Sequence, residues 1–364
     1  MLRFLHGGDF HLDSPFRSLP PKLAAKARGE QRQLLERFGR LAKEEGIDLV
    51  FLTGDIFDGE RIYPETMKAF REMLEEIDAP VFIAPGNHDP FTSGSPYQKL
   101  SWPSHVHIFS SESVESVELL DLGCTVHGAA FLSSHRQTSP LEGFSATGRG
   151  IHLGCFHGEI SQGLSRYGPI SPSQISDSNL HYLALGHVHT ASGLSQIGST
   201  YYAYCGCPQG RGFDETGKMG VFIGTTDGRN LGLQFYPIAQ RQYHSISVNI
   251  TGKTAQEALQ ELLPDAPSED IIRFTFTGER DGHAPPHLPG LHKLALASYF
   301  SVTMVDQTSI SADLWSQQTE DTLIGLFLRE MHKRLEAASP EERPTLELSL
   351  RFGLAALEGR EAPE

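Results

Sequence analysis

Cysteine is scarce, with four in 364 residues. Cys124, Cys155, Cys205 and Cys207 are too few and too irregularly spaced for a disulfide framework. Cys205-Gly206-Cys207 is too tight for an ordinary zinc knuckle, so all four are expected as reduced, mostly buried small residues. Long apolar runs are also missing. None approaches the roughly 18–20 residues of a membrane span. The opening MLRFLHGGDFHLD lacks a signal-peptide pattern, because its apolar run is short and a charged motif follows at once. A cytoplasmic protein without a membrane anchor is the expectation. Positive charge is in deficit: 30 Lys and Arg face 45 Asp and Glu, for a formal net charge of −15. That balance argues against tight nonspecific DNA binding by the isolated chain, since Lys and Arg neutralise phosphates in such complexes. It leaves room for nucleic acid where divalent cations reverse the local field, or where a partner supplies basic charge. Internal repeats and low-complexity segments are absent. The remaining composition, 39% hydrophobic and 21% charged, is that of an ordinary globular protein.

Five short apolar runs read as buried strands: Leu2 to Leu5, Leu49 to Leu52, Val81 to Ala84, His152 to Phe156 and Tyr182 to Leu185. Helical patterns separate the first three. One spans about Lys22 to Glu45, with Leu34, Leu35, Phe38 and Leu41 at helical spacing. The other spans about Pro64 to Ile77, with Pro64 in its first turn. Strand, helix, strand in alternation implies parallel βαβ units. Around Val106 to Phe131 and Thr200 to Pro237, strands follow one another through Gly and Asp turns, which implies antiparallel or mixed pairing. The fold expected is a layered α/β sandwich, with residues 1–240 as its main domain. Residues 241–309 read as a small α+β capping module, and 310–364 as amphipathic helices. In the first of these helices Leu323, Phe327, Met331 and Leu335 recur every fourth residue. This stripe suits packing onto the chain itself or docking of a partner.

Five blocks of metal-ligand residue types then stand in order, each after an apolar run: Asp9-Phe10-His11, Gly54-Asp55, Gly86-Asn87-His88-Asp89, His157 and Gly186-His187-Val188-His189. A phosphodiester repels nucleophiles until its charge is neutralised. Two divalent ions about 3.5–4 Å apart do this and also acidify water and stabilise the leaving oxygen. Such a centre needs a bridging carboxylate with imidazole and oxygen ligands, which suits Mn, Fe or Zn. Asp9 and His11, at i and i+2 on the exit of a strand, are expected to share a face and reach one ion. Asn87 offers a neutral amide oxygen. Any one block arises often by chance; the ordered set of five does not.

The order D-x-H, G-D, G-N-H-D, H, G-H-x-H resembles the calcineurin-like metallophosphoesterase superfamily. Longer stretches resemble its DNA repair exonuclease branch, the SbcD and YhaO-like nuclease subunits. These are HGGDFHLDSPF, FLTGDIFDG, YLALGHVHT and CPQGRGFDETGKMGV, the last carrying a Gly-Arg-x-x-x-Glu-x-Gly pattern. The likeness covers roughly residues 1–240. It implies a four-layer α/β/β/α sandwich and two divalent metals, Mn first, with Fe or Zn as alternatives. Asp9, His11, Asp55 and His189 would hold one ion. Asp55, Asn87, His157 and His187 would hold the other, with Asp55 bridging. His88 would not be a ligand but would assist the leaving oxygen, and Asp89 would orient His88 or the loop backbone. Some relatives carry a histidine three residues after the bridging aspartate; Asp58 stands here. The resemblance further implies a DNA exonuclease or endonuclease acting in repair with an SMC-like coiled-coil ATPase (SbcC or YhaN type) docked on the C-terminal helices, and it leaves room for a homodimer.

Two other functions fit the blocks: a phosphatase or small-molecule phosphodiesterase, and a non-catalytic scaffold subunit with a vestigial site. Of 17 histidines, five lie in the blocks. His6, His127, His152 and His181, on or beside strands, read as structural. The segment Lys22 to Lys43, with seven Lys or Arg, reads as a solvated helix face. Arg211, flanked by glycines, is a candidate substrate-phosphate contact, against a salt bridge to Asp214 or Glu215.

Overall fold

The structure, a computed structural model, describes residues 1–59, 61–280 and 285–359. These form two compact units, Met1–Tyr243 and His244–Glu364.

In chain order the first unit contains β1 (Leu2–Gly7), α1 (Pro21–Glu44), β2 (Leu49–Leu52), α2 (Pro64–Glu76), β3 (Val81–Ile83), α3 (Pro96–Lys99), β4 (Val106–Ile108), β5 (Glu115–Leu119), β6 (Cys124–Gly128), β7 (Ile151–His157), α4 (Pro172–Asp177), β8 (Tyr182–Gly186), β9 (Ser195–Ile197), β10 (Thr200–Tyr204), β11 (Gly220–Thr226) and β12 (Leu231–Pro237). Two six-stranded sheets result, ordered β12-β11-β1-β2-β3-β4 and β5-β6-β7-β8-β10-β9. Strands β1 to β4 run parallel, while β11 joins β1 antiparallel. In the second sheet β6, β7, β8 and β10 run parallel between antiparallel edges.

The runs are continuous rather than alternating because both faces of each sheet are covered. Phe4, Leu49, Phe51 and Phe82 point from the first sheet against Val126, Leu153, Tyr182 and Ala184 of the second. Their neighbours Leu5, Val50, Leu52 and Ile83 point the other way, onto Leu34, Leu35 and Phe38 of α1 and Phe70 and Leu74 of α2. Phe156, Leu183 and Leu185 form the outer face of the second sheet, beneath Ile175 of α4. The layers are therefore α/β/β/α, with a thin final layer. Burying one such Phe or Leu contributes about 1.5–3 kcal/mol. The pairs Gly7↔Leu52 and His157↔Gly186 bring strand ends level at one edge. The blocks emerge at that edge, where ligand sites of open α/β sheets collect.

Three histidines outside the blocks, His6, His127 and His152, are buried in the core. His6 is fully buried between Tyr182 Oη (2.9 Å) and the Leu185 carbonyl (3.2 Å), and burial lowers its pKa to about 3. His127 meets Ser116 at 2.8 Å and His152 at 3.0 Å. All four cysteines are free and buried.

The second unit has β13 (Tyr243–Asn249), α5 (Ala255–Gln260), β14 (Ile271–Thr277), β15 (Glu279–Arg280), α6 (Leu288–Leu296), β16 (Ser301–Asp306), β17 (Ser309–Ile310), α7 (Ala312–Ser316), α8 (Leu323–Ala337) and α9 (Arg343–Leu357). The three-stranded sheet β13-β14-β16 buries Val248, Phe274 and Phe276 against Leu259 of α5 and Leu291 and Ala295 of α6. Strand β17 pairs with β15, and Arg280 bonds Glu347 of α9 at 2.8 Å. The C-terminal helices thus fold onto the module instead of trailing from it. Of the stripe on α8, Met331 and Leu335 are buried with Leu328 against Leu350 and Leu354 of α9. Phe327 lies over Gly353, where a β-carbon would sit 2.1 Å from its ring. Leu323 is 68% exposed. Among the described residues, no helix is long and apolar enough to cross a membrane.

Candidate metal centre

Past the strand ends, the first two loops continue to pair. Asp9 N donates to Gly54 O, and His11 N donates to Asp55 O, each at 2.9 Å. The backbone there is not extended. Asp9, His11 and Asp55 have φ of 50°, 43° and 50°, and His187 has 107°. Left-handed backbone at non-glycine residues is costly and collects at functional sites. It corrects the strand-alternation argument: Asp9 and His11 do converge, but by left-handed turns beyond β1.

Glycines clear the space. Gly54 has φ +86°, and a β-carbon there would lie 2.6 Å from His157 Nδ1. At Gly86 it would lie 2.3 Å from Asp55 Oδ1. Gly86→Ala is therefore expected to displace Asp55 and weaken metal binding by on the order of 10–100-fold. Calorimetric titration with Mn checks this, and unchanged affinity would contradict it.

The structure brings all seven predicted ligands together. The donor atoms of Asp9, His11 and His189 lie within 4.8 Å of one another, as do those of Asp9, Asp55 and His157. His11 Nε2 is 3.1 Å from His189 Nε2. Asn87 Oδ1 is 2.9 Å from His157 Nε2 and 3.2 Å from His187 Nδ1. His187 and His189, two residues apart, thus face different groups. Between the groups lies Asp55 Oδ2, 3.6 Å from His11 Nε2 and 3.5 Å from His157 Nε2. Its Oδ1 accepts the His88 amide at 2.8 Å.

Donor accounting tests whether cations fit. His157 Nδ1 lies 2.9 Å from the Thr53 carbonyl, which can only accept. Nδ1 therefore carries the hydrogen, and Nε2 presents a lone pair to two further acceptors, Asn87 Oδ1 and Asp55 Oδ2. His11 repeats the pattern, with Nδ1 facing Asp58 Oδ1 at 3.3 Å. Burial lowers the pKa of His11 to about 4, so its ring is neutral. Burial, then the Asp55 charge, pushes the Asp9 carboxyl well above its usual range. Buried imidazole lone pairs and carboxylate oxygens crowded this closely suit divalent cations.

The other predicted residues divide. His88 stands at the mouth, its side chain 47% exposed, with Nδ1 2.9 Å from Asp58 Oδ1. That hydrogen bond, acting against partial burial, raises its pKa. Its ring packs edge-on to His11, with centroids 4.6 Å apart. Asp89 is buried and accepts from the amides of Asp55, Ile56, Phe57 and Gly86 and from Tyr97 Oη (2.6 Å). It clamps the loop backbone beneath Asp55, so of its two expected roles the geometry matches the second. Arg211 forms a salt bridge with Glu215, Nη2 to Oε1 at 2.5 Å. Asp13, the second aspartate of the opening stretch, ties Thr66 and the Tyr63 amide at the start of α2. Sequence reasoning gave no site role to Tyr97, Thr53 or Glu215. Glu215 had a signal in the Gly-Arg-x-x-x-Glu-x-Gly pattern and Thr53 in the stretch FLTGDIFDG, while Tyr97 had none.

Comparison with known proteins bears on the same residues. The model of the calcineurin-like phosphoesterase family matches residues 2–191, which hold all five blocks. The chain belongs to this family. Calcineurin-like phosphoesterases are metal-dependent phosphoester hydrolases, in keeping with the donor set. One relative is the uncharacterized metallophosphoesterase YhaO of Bacillus subtilis (strain 168). It is 27% identical over 277 residues, 72% of this chain and 67% of that protein. Another is the SbcD component of the SbcCD nuclease of the same organism, 25% identical over 126 residues, 32% of this chain and 30% of that protein. The crystal structure of TT1561 of Thermus thermophilus aligns at a TM-score of 0.40 and 13% identity, covering 64% of this chain and 98% of that one.

Proposed function

We propose that this calcineurin-like phosphoesterase is a two-metal DNA nuclease. The observation that carries the metal part is the place of Asp55 Oδ2, at nearly equal distance from His11 and His157. Asp9, His11, Asp55 and His189 would hold one ion; Asp55, Asn87, His157 and His187 would hold the other. Such ions, when bound, neutralise phosphodiester charge and make water acidic enough to attack near neutral pH. Mn is the expected occupant, with Fe or Zn serving the same donors.

The chain's own groups supply the rest. His88 is at the open side of the centre, and Asp58 fixes its Nδ1. Nε2 is then the nitrogen available to hand a proton to the departing sugar oxygen. Asp89 and Tyr97 keep the two loops rigid, so that Asp55 and His88 hold their spacing.

DNA as substrate is supported by the similarity to the SbcD component of the SbcCD nuclease and by a second unit beyond the phosphoesterase domain. We read residues 241–309 as a capping and DNA-recognition module and 310–364 as a docking segment for an SMC-like ATPase. Leu323, Leu326, Leu348 and Phe352 are exposed on its helices. A DNA-binding ATPase would also offset the charge of −15. Work in the cytoplasm on DNA ends in repair follows from the same likeness. The test compares Mn-dependent hydrolysis of linear DNA, cyclic nucleotides and bis(4-nitrophenyl) phosphate. DNA cleavage together with the chromogenic activity is expected. Cyclic nucleotide turnover without DNA cleavage would overturn the nuclease assignment.

A further inference from the structure

Glu215 lies outside the five blocks, between β10 and β11, and its side chain is only 4% exposed. Its Oε1 is 2.7 Å from His189 Nδ1 and 2.5 Å from Arg211 Nη2. Its Oε2 accepts the Arg211 amide at 2.7 Å and Nε at 3.3 Å. Arg211 Nη2 is also 3.0 Å from His189 Nδ1. A guanidinium only donates and a carboxylate only accepts, so these two neighbours ask opposite things of one nitrogen. The carboxylate contact is shorter, and the Arg211 fork is already engaged by the same carboxylate. Nδ1 therefore carries the hydrogen, and both donors converge on Oε1. The His189 lone pair is left on Nε2, which faces His11 Nε2 at 3.1 Å.

We propose that Glu215, held in place by Arg211, is a positioning residue that sets His189 as a metal ligand. It fixes the Nδ1–H tautomer and aims Nε2 at the ion shared with Asp9 and His11. An imidazole bonded to a carboxylate through its far nitrogen is oriented and more basic toward a metal. The buried carboxylate needs a cation beside it, and Arg211 meets it at two points. Arg211 thus acts through Glu215 instead of gripping substrate phosphate. The inference rests on the two-metal reading above.

Two measurements on the full chain test it. The first is calorimetric Mn titration of chelator-treated wild type, Glu215→Gln and Glu215→Asp. Wild type is expected to bind two ions. Glu215→Gln should weaken one binding event by about 10–100-fold while leaving the other in place. Glu215→Asp, which keeps the charge but shortens its reach, should recover part of the loss. A merely structural role would not single out one ion. The second measurement needs no variant of Glu215: long-range 15N–1H correlation of the metal-free wild type above pH 8, with the His189 signal identified by its loss in His189→Gln. It should show Nδ1–H, and Nε2–H would overturn the proposal even if Glu215→Gln failed to fold. Two ions bound with unchanged affinity in Glu215→Gln would also overturn it while leaving the metal-centre reading intact. A wild type that binds fewer than two ions overturns both.

Discussion

Asp55→Ala is expected to release both metal ions and to lower phosphodiester hydrolysis by about 10³-fold or more, on the order of 4 kcal/mol of transition-state stabilisation. The reason is positional. The outer oxygen of Asp55 faces one imidazole of each group, His11 and His157. In the proposed assignment the other six ligands serve one ion each, so removing one of them is expected to spare the far ion. Replacing Asp55 also frees the His88 amide, which binds its inner oxygen. Elemental analysis after Mn loading and gel filtration, alongside hydrolysis of bis(4-nitrophenyl) phosphate, gives both readings. Two retained ions would contradict the bridging role.

His88→Ala separates chemistry from metal binding. The side chain is exposed at the mouth and touches the centre through Asp58 and the His11 ring. The variant is expected to keep two ions while DNA cleavage falls by about 10²–10⁴-fold, the usual worth of a general acid. The loss should be smaller with bis(4-nitrophenyl) phosphate, because nitrophenolate leaves without a proton. Equal losses on both substrates would assign His88 to phosphate binding, and normal turnover would remove it from the mechanism. Release of metal would make it a ligand.

The sequence reveals the two predictions unequally. Strands β1, β2, β3, β7 and β8 are visible because each is a short apolar run buried on both faces, and each delivers a block. The reason the blocks converge is not visible. Alternation along a strand is a local rule, whereas Asp9, His11 and Asp55 turn through left-handed backbone that the paired loops impose. Sheet membership is non-local in the same way. Strand β11 is far from β1 in sequence yet pairs beside it. Asp89 shows the limit for side chains. Its place next to His88 suggests a partner for the imidazole, but four backbone amides and Tyr97 claim it. Glu215 sits 26 residues beyond His189, and spacing says nothing of a 2.7 Å contact across two loops. On α8 the four-residue stripe marks a buried face. Only three dimensions show that α9 supplies the cover and that Leu323 stays outside it.

The central claim is that five sequence blocks build one centre for two cations sharing Asp55. Anomalous diffraction at the Mn edge from crystals of the Mn-loaded protein tests it most directly. Two peaks are predicted, one among Asp9, His11, Asp55 and His189 and one among Asp55, Asn87, His157 and His187. A single peak, or peaks away from Asp55, would contradict it.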